Sequence, residues 1–314
     1  MRLAAAVGHP GHVLDPDFVL DATARERLVD RFGPGTQQWC DNLPELVAKC
    51  RLRWDLELEE ALSGATSRVF LGRQHGDRAV VLKLTPDRSV ADTEAAALRA
   101  WAASPHCVDL LDADAETGAL LLEKLEPGTK LGDQAELPPL ADIAALLTSL
   151  RTADGDGMDQ LPPLARRVDF LFTLIGRRLS HPRVSVLVTP GMAARGHRLA
   201  QKLATDGDTG LVHGDLHPAN VLTAGPDRGL VVIDPRPCFG DRTFDAVDWA
   251  LGRATTATEV TDRIQQLCGH IPELDGDRLR DWCEATAVII AVQHLYRRPP
   301  GDTTKLVLQL AAAN

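Results

Sequence analysis

Residues 20–54 space their apolar side chains at helical intervals, Leu43, Leu46 and Val47 followed by Trp54, before any sheet-like pattern appears. The spacing predicts a helical N-terminal extension. From Leu56 to Leu125 the pattern shortens into β-like runs, Arg68 to Leu71, Ala79 to Leu84 and Ala119 to Leu122, separated by Gly and Asp turns. One helix is predicted among them, around Asp92 to Ala102. That order predicts a small antiparallel sheet carrying a single helix.

Beyond Glu126-Pro127-Gly128 the periodicity turns helical over Leu140 to Leu150, Leu164 to Leu179, Ala193 to Ala204, Val260 to Ile271 and Leu279 to Tyr296. The exception is Leu211 to Asp234. There Leu211-Val212 and Val221-Leu222 bracket a polar loop, and Gly229 to Ile233 reads as a buried strand ending in Asp234. The expected class is α+β with two lobes: residues 1–126 hold the helical extension and a sheet lobe, and residues 127–314 a helical lobe. At 314 residues the chain exceeds the roughly 100–200 of one compact domain, in keeping with two.

Charge narrows the partners. Lys and Arg total 34 against 44 Asp and Glu, a formal −10, which disfavours nucleic acid or an anionic membrane and tolerates a cationic small molecule. Only six of the basic residues are lysines, and Lys83 alone lies inside an apolar run. Cys40, Cys50, Cys107, Cys238, Cys268 and Cys283 are scattered without a Cys-x-x-Cys pair, so reduced thiols are expected rather than a zinc ribbon or disulfide framework. His9, Pro10 and Asp15 interrupt the N-terminus too early for a secretory h-region, and no stretch is long enough to span a bilayer. A cytoplasmic protein with no obligate protein partner is expected.

The densest polar cluster is His213-Gly214-Asp215-Leu216-His217-Pro218-Ala219-Asn220, followed by Ile233-Asp234-Pro235. Phosphoryl transfer asks for an oriented hydroxyl nucleophile, a divalent metal on the phosphates and positive charge near the leaving group. Asp215 suits the acceptor proton, while the hard oxygens of Asn220 and Asp234 suit Mg²⁺. An ammonium buried in a strand costs several kcal/mol unless an anion compensates it, so Lys83 points to Glu94 or to ATP phosphates. The small residues Ser63, Gly64, Thr66 and Ser67 occupy a turn where backbone N–H groups can approach phosphate. Glu123 and Leu125 sit at the expected junction, where main chain meets an adenine edge.

His213-x-Asp215-x-x-x-x-Asn220 with Asp234, Lys83 and Glu94 resembles the protein-kinase-like superfamily, in its aminoglycoside phosphotransferase branch. Trp39, Leu43-Pro44, Cys50, Arg53-Trp54, Leu122-Glu123, His213 to Leu222, and Ile233-Asp234-Pro235-x-Pro237 with Gly240-Asp241 and Phe244-Asp245 look more closely like the aminoglycoside 6-phosphotransferase and hydroxyurea phosphotransferase family. The resemblance runs over about residues 38–252. It implies that Asp215 activates the acceptor hydroxyl, Asn220 and Asp234 hold Mg²⁺, and Lys83 braced by Glu94 grips ATP between two lobes. The loop at 63–68 departs from the protein kinases in having one Gly, and Asp234 is followed by Pro235 rather than Phe-Gly. No activation segment follows Asp234, which favours a small-molecule hydroxyl acceptor over a protein.

Each residue also has a plainer reading. Asp215 suits a turn, Lys83 an edge strand from which it snorkels, and Glu94 a helix surface. His213 suits a loop-holding role, His217 either packing or acceptor contact, and Ser63 to Ser67 an ordinary hairpin turn. Asp241, Asp245 and Asp248 are candidates for an acidic acceptor wall, with Asp245 also placed to cap a helix near Phe244. The favoured acceptors are a streptomycin-type aminoglycoside or hydroxyurea, whose inactivation would confer resistance. A metabolic kinase acting on choline, homoserine or a sugar is the nearest rival, with the helical insert at about 136–206 and the C-terminal helices shaping its pocket. A metallohydrolase using His213, Asp215 and His217 is a remote one that leaves Lys83 and Asn220 unexplained. A nucleotide-binding pseudokinase is disfavoured because every catalytic position is filled.

Overall fold

The computed structural model describes residues 20–63, 66–152 and 161–313. By its contacts the chain divides into two units: residues up to 91 with Leu111–Lys124, and residues 92–110 with everything from 125 onward.

In the first unit, α1 (Ala22–Phe32) begins at Asp21, whose carboxylate accepts the Ala24 N–H at 2.7 Å, and is followed by α2 (Thr36–Trp54). Helix α2 buries Cys40, Leu43, Val47, Cys50 and Trp54, a stripe at three- and four-residue intervals. That stripe shares one core with Phe70, Val80, Leu82, Leu84 and Leu121 of the sheet, so the helical extension is a layer of the unit. The strands are β1 (Leu56–Ser63), β2 (Arg68–Gln74) and β3 (Arg78–Leu84), then, after α3 (Arg88–Ala100), β4 (Leu110–Asp114) and β5 (Ala119–Glu123). Their order is β1-β2-β3-β5-β4, with β3 antiparallel to both β2 and β5. Lys83, opposite Val69 on one side and Leu120 on the other, therefore lies on an interior strand and not on an edge.

Residues 92–110, which strand order alone groups with the sheet, cluster with the second unit for identifiable reasons. Trp101 donates its indole N–H to the Leu150 carbonyl at 3.0 Å, Cys107 bridges to Val232, and Val108 N–H bonds to Val232 O at 3.1 Å.

The second unit continues through α4 (Leu140–Arg151), α5 (Leu164–Gly176), α6 (Pro182–Ser185), α7 (Pro190–Ala204), β6 (Thr209–Val212), β7 (Val221–Thr223), α8 (Gly225–Arg228), β8 (Leu230–Val232) and β9 (Cys238–Asp241). Helices α9 (Val247–Leu251), α10 (Ala257–His270), α11 (Gly276–Arg297) and α12 (Asp302–Ala312) complete it. Helix α11 buries Leu279, Trp282, Ala285, Val288, Ile289, Val292 and Leu295, which spread around its circumference, so it is the central helix of the unit. Helix α12 and strand β9 had no clear signature in the sequence. Leu306-Val307-Leu308-Gln309-Leu310 carries no unambiguous period, and β9 is a short strand defined by its pairing with β6.

Helix α7 meets α11 at Gly196, where a Cβ would lie 2.7 Å from the Ala285 carbonyl oxygen. Gly196→Ala is therefore expected to destabilise the protein by about 1–3 kcal/mol through overpacking against backbone. Gly269→Ala in α10, where a Cβ meets nothing within 4 Å, should be neutral or stabilising. Thermal melts of the two variants check the contrast.

Candidate active site

The loop His213–Asn220 leaves β6, which pairs with β9, and enters β7, which pairs with β8, through a 3₁₀ turn at Pro218–Asn220. Main-chain bonds lay the segment 233–236 beside it: Ile233 N–H donates to Asn220 O at 2.9 Å and Arg236 N–H to His213 O at 2.8 Å. The segment carrying Asp234 is thereby laid beside the loop that carries Asp215 and Asn220. The fit is close enough that Gly214, at φ +74°, could carry no side chain, since its Cβ would lie 2.2 Å from the Arg236 carbonyl oxygen. Asp234 itself takes φ 55°, a left-handed conformation costing a non-glycine residue roughly 1–2 kcal/mol.

His213 is fully buried and stacks on Trp101 at 6.1 Å between ring centroids. Burial pushes its pKa down to about 4, so the ring is neutral at pH 7. Its Nε2 bonds to Ile233 O at 3.2 Å while its Nδ1 accepts the Asp215 N–H at 3.3 Å, which assigns the proton to Nε2. With both nitrogens engaged, His213 holds the loop and is unavailable as a metal ligand. The His213/Asp215/His217 metal triplet of the hydrolase reading is thus excluded by the ring's own bonds.

Asp215 is about one-third exposed, and Arg167 of α5 clamps it. Arg167 Nη2 donates to Asp215 Oδ1 at 2.7 Å and Arg167 Nε to the Gly214 carbonyl at 2.8 Å. Asn220 Nδ2 donates to the Asp215 carbonyl at 2.9 Å and lies 3.4 Å from Oδ2. The Asn220 amide nitrogen being spent on Asp215, its Oδ1 remains for a cation, and the Asp234 carboxylate, one-third exposed with Oδ1 3.3 Å from Arg236 Nη2, supplies a second hard oxygen. The donor set suits Mg²⁺. His217 accepts the Ala219 N–H on Nδ1 at 3.2 Å, and its half-exposed Nε2 lies 3.9 Å from Asp215 Oδ2.

Two expected acceptor-wall residues do other work. Asp245 is buried and accepts the N–H groups of His213 at 2.7 Å and Gly214 at 3.0 Å. Burial pushes its pKa up to about 7 against those two bonds. Asp241 is fully buried, ion-paired to Arg278 and bonded by the Trp282 indole at 2.6 Å. Asp241, not Asp245, caps the turn at Arg242–Ala246, accepting the Thr243 N–H at 3.0 Å. Both carboxylates are buried and bonded to protein groups. Asp248 differs from them: it is half-buried, and its pKa is pushed up to about 6 by burial, with the charges of His217 and Asp215 acting on it.

Lys83 and Glu94 are each almost wholly buried, on β3 and α3. Thr66 and Ser67 are buried, whereas Gly64 and the side chain of Ser63 lie outside the described residues. Glu123 ends β5, half-buried, and Leu125 is buried. Arg167 was missed in the sequence. The signal was present: Arg167 flanks the buried face of α5 formed by Leu164, Val168, Phe172 and Ile175, where an arginine only 10% exposed requires a partner.

The fold and the loop together define a phosphotransferase of the protein-kinase-like type. The chain belongs to the aminoglycoside/hydroxyurea antibiotic resistance kinase family, whose profile matches residues 53–296. It is 34% identical to a hydroxyurea phosphotransferase of Kitasatospora aureofaciens over 80% of this chain and 72% of the relative. It is 31% identical to a streptomycin 6-kinase of Streptomyces griseus over 86% and 87%. Its fold matches a thermostable mutant of an aminoglycoside phosphotransferase crystallised with ADP and hygromycin B, at TM-score 0.53 and 19% identity over 84% and 96% of the two chains. The chain is therefore a nucleotide-using kinase, as the resemblance implied. Among the described residues no helix is long and apolar enough to cross a membrane.

The buried histidine carries a pH signature. In the unfolded chain His213 takes its proton near pH 6.5, and in the fold only near 4. Unfolded chains thus bind more protons in that window, and this contribution to stability is lost as pH falls from 6.5 towards 4. His213→Asn should be less stable than wild type at pH 7, with the gap narrowing by roughly 2–3 kcal/mol at pH 4.5. Denaturant unfolding at both values checks this, and Asp245, which titrates the other way in both proteins, drops out of the difference.

Proposed function

We propose that this kinase transfers the γ-phosphoryl group of ATP to a hydroxyl of a small antibiotic-type acceptor, either a streptomycin-type aminoglycoside or hydroxyurea. The observation that carries this reading is the placement of Asp215, Asn220 and Asp234 on one main-chain framework. Asp215 Oδ2, the less engaged of its two oxygens, orients the acceptor hydroxyl and takes its proton as the oxygen attacks the γ-phosphorus. The bond from that phosphorus to the β,γ-bridging oxygen breaks, and ADP leaves. Mg²⁺ on Asn220 and Asp234 would supply neutralising charge to the phosphates. Lys83 is assigned to the α- and β-phosphates, and Glu94 is the carboxylate that the family motif pairs with it. The run Ser63, Gly64, Thr66 and Ser67 is the candidate for main-chain contact with phosphate, and Glu123 and Leu125 are those for the adenine edge. His217 and Asp248 lie beside the base and are the acceptor-side candidates, in place of Asp241 and Asp245.

The two relatives name the acceptors to try, and a panel of streptomycin, other aminoglycosides, hydroxyurea, choline and homoserine separates the readings. ADP release should rise with streptomycin or hydroxyurea, and NMR should locate the phosphate on an oxygen of that acceptor. A response confined to choline or homoserine would replace this reading with a metabolic one. In Asp215→Asn, turnover should fall by about 10²–10⁴-fold while nucleotide affinity by calorimetry stays within about threefold.

A further inference from the structure

We propose that Arg167 is a positioning residue for the transfer step, fixing the rotamer of Asp215 so that Oδ2 is the oxygen presented to the acceptor. The inference rests on the reading of Asp215 as the acceptor base and adds a residue that no loop motif contains. The loop around Asp215 is pinned at several points, and most of them grip main chain. Asp245 takes the N–H groups of His213 and Gly214, His213 Nδ1 takes the N–H of Asp215, and Asn220 reaches the Asp215 carbonyl at 2.9 Å.

Those bonds place the backbone, yet leave the carboxylate to turn about its own side-chain torsions. Arg167 closes that freedom with a short bond, Nη2 to Oδ1 at 2.7 Å. The contacts to Oδ2, from Asn220 at 3.4 Å and His217 at 3.9 Å, are long. The same guanidinium holds the Gly214 carbonyl through Nε, so one planar fork ties side chain and main chain together. The fork is itself held: the Arg167 side chain is 10% exposed and its guanidinium carbon lies 5.6 Å from the centre of the Phe170 ring. A lysine, offering one point of charge, could not bridge both oxygens.

The pairing has a second consequence. Arg167 lies on α5, within the helical insert expected to shape the acceptor pocket, so the surface that selects the acceptor and the group that receives its proton are rigidly connected. Misplacing a reacting group by about 1 Å costs on the order of 10²-fold in rate.

Arg167→Lys, Arg167→Ala and Asp215→Asn are assayed side by side for ADP release with streptomycin and with hydroxyurea. The expected result is a kcat at least tenfold lower in both Arg167 variants, with KM for ATP within about threefold of wild type. Millimolar guanidinium should recover kcat at least fivefold in Arg167→Ala, and ethylammonium should not. Wild-type kcat in either variant would overturn the proposal, as would a loss in well-folded Arg167→Ala that guanidinium leaves unmoved. Should Arg167→Ala fail to fold, Arg167→Lys decides the matter on kcat. If Asp215→Asn turns over normally, the underlying assignment of the base fails instead, which separates the two conclusions.

Discussion

The structure turns on one buried carboxylate. Asp245 sits out of water with its two oxygens on the N–H groups of His213 and Gly214, and so anchors the start of the loop. Leaving either amide without an acceptor would cost about 1–3 kcal/mol and would free the backbone next to the base. Asp245 is in turn placed by the turn that Asp241 caps, and Asp241 by Arg278 and Trp282 of the central helix α11. A line of bonds therefore runs from the central helix to the loop that carries Asp215, with the carboxylates of Asp241 and Asp245 buried and partnered.

The acidic balance has a different meaning from the one its total invites. Two of the three acids near the site neutralise nothing on an acceptor; they organise protein. Asp245 organises main chain, whereas Asp241 and Asp208 are partnered by arginines: Arg278 joins Asp241 to the carbonyls of Leu203 and Asp206, and Arg242 and Arg151 converge on Asp208. A fork with several fixed donors can satisfy a carboxylate and a carbonyl at once, which an ammonium cannot. Arginine serves these junctions, whereas Lys83 is a buried compact point charge.

Much of the site was legible in the sequence because its chemistry depends on side-chain type. The loop His213 to Asn220 and Asp234 announced themselves by spacing, and Lys83 by its apolar surroundings. Burial and β3's interior position agree with its being more than a surface lysine. The roles of Asp241 and Asp245 were not legible, because an aspartate that accepts two backbone amides and one that faces a ligand have the same letter and the same neighbours in sequence. Arg167 was hidden for another reason: its partners lie 47 and 48 positions away, and only the fold of α5 against the loop joins them. The grouping of residues 92–110 with the second unit was not legible either, since a bridge between Cys107 and Val232 has no local sequence signal.

A motif names side chains, whereas this loop is held chiefly by main chain: the amides of 213, 214, 215, 233 and 236 and the carbonyls of 213, 214, 215 and 220 all carry bonds. Such anchoring suits phosphoryl transfer, which asks the protein for position and fixed charge far more than for covalent chemistry. Position can be supplied by groups that never touch the substrate, provided they are rigid and dry. The neutral ring of His213, the carboxylate of Asp245 and the fork of Arg167 meet both conditions, so the placement of the Asp215 carboxylate is set by groups one layer removed from it.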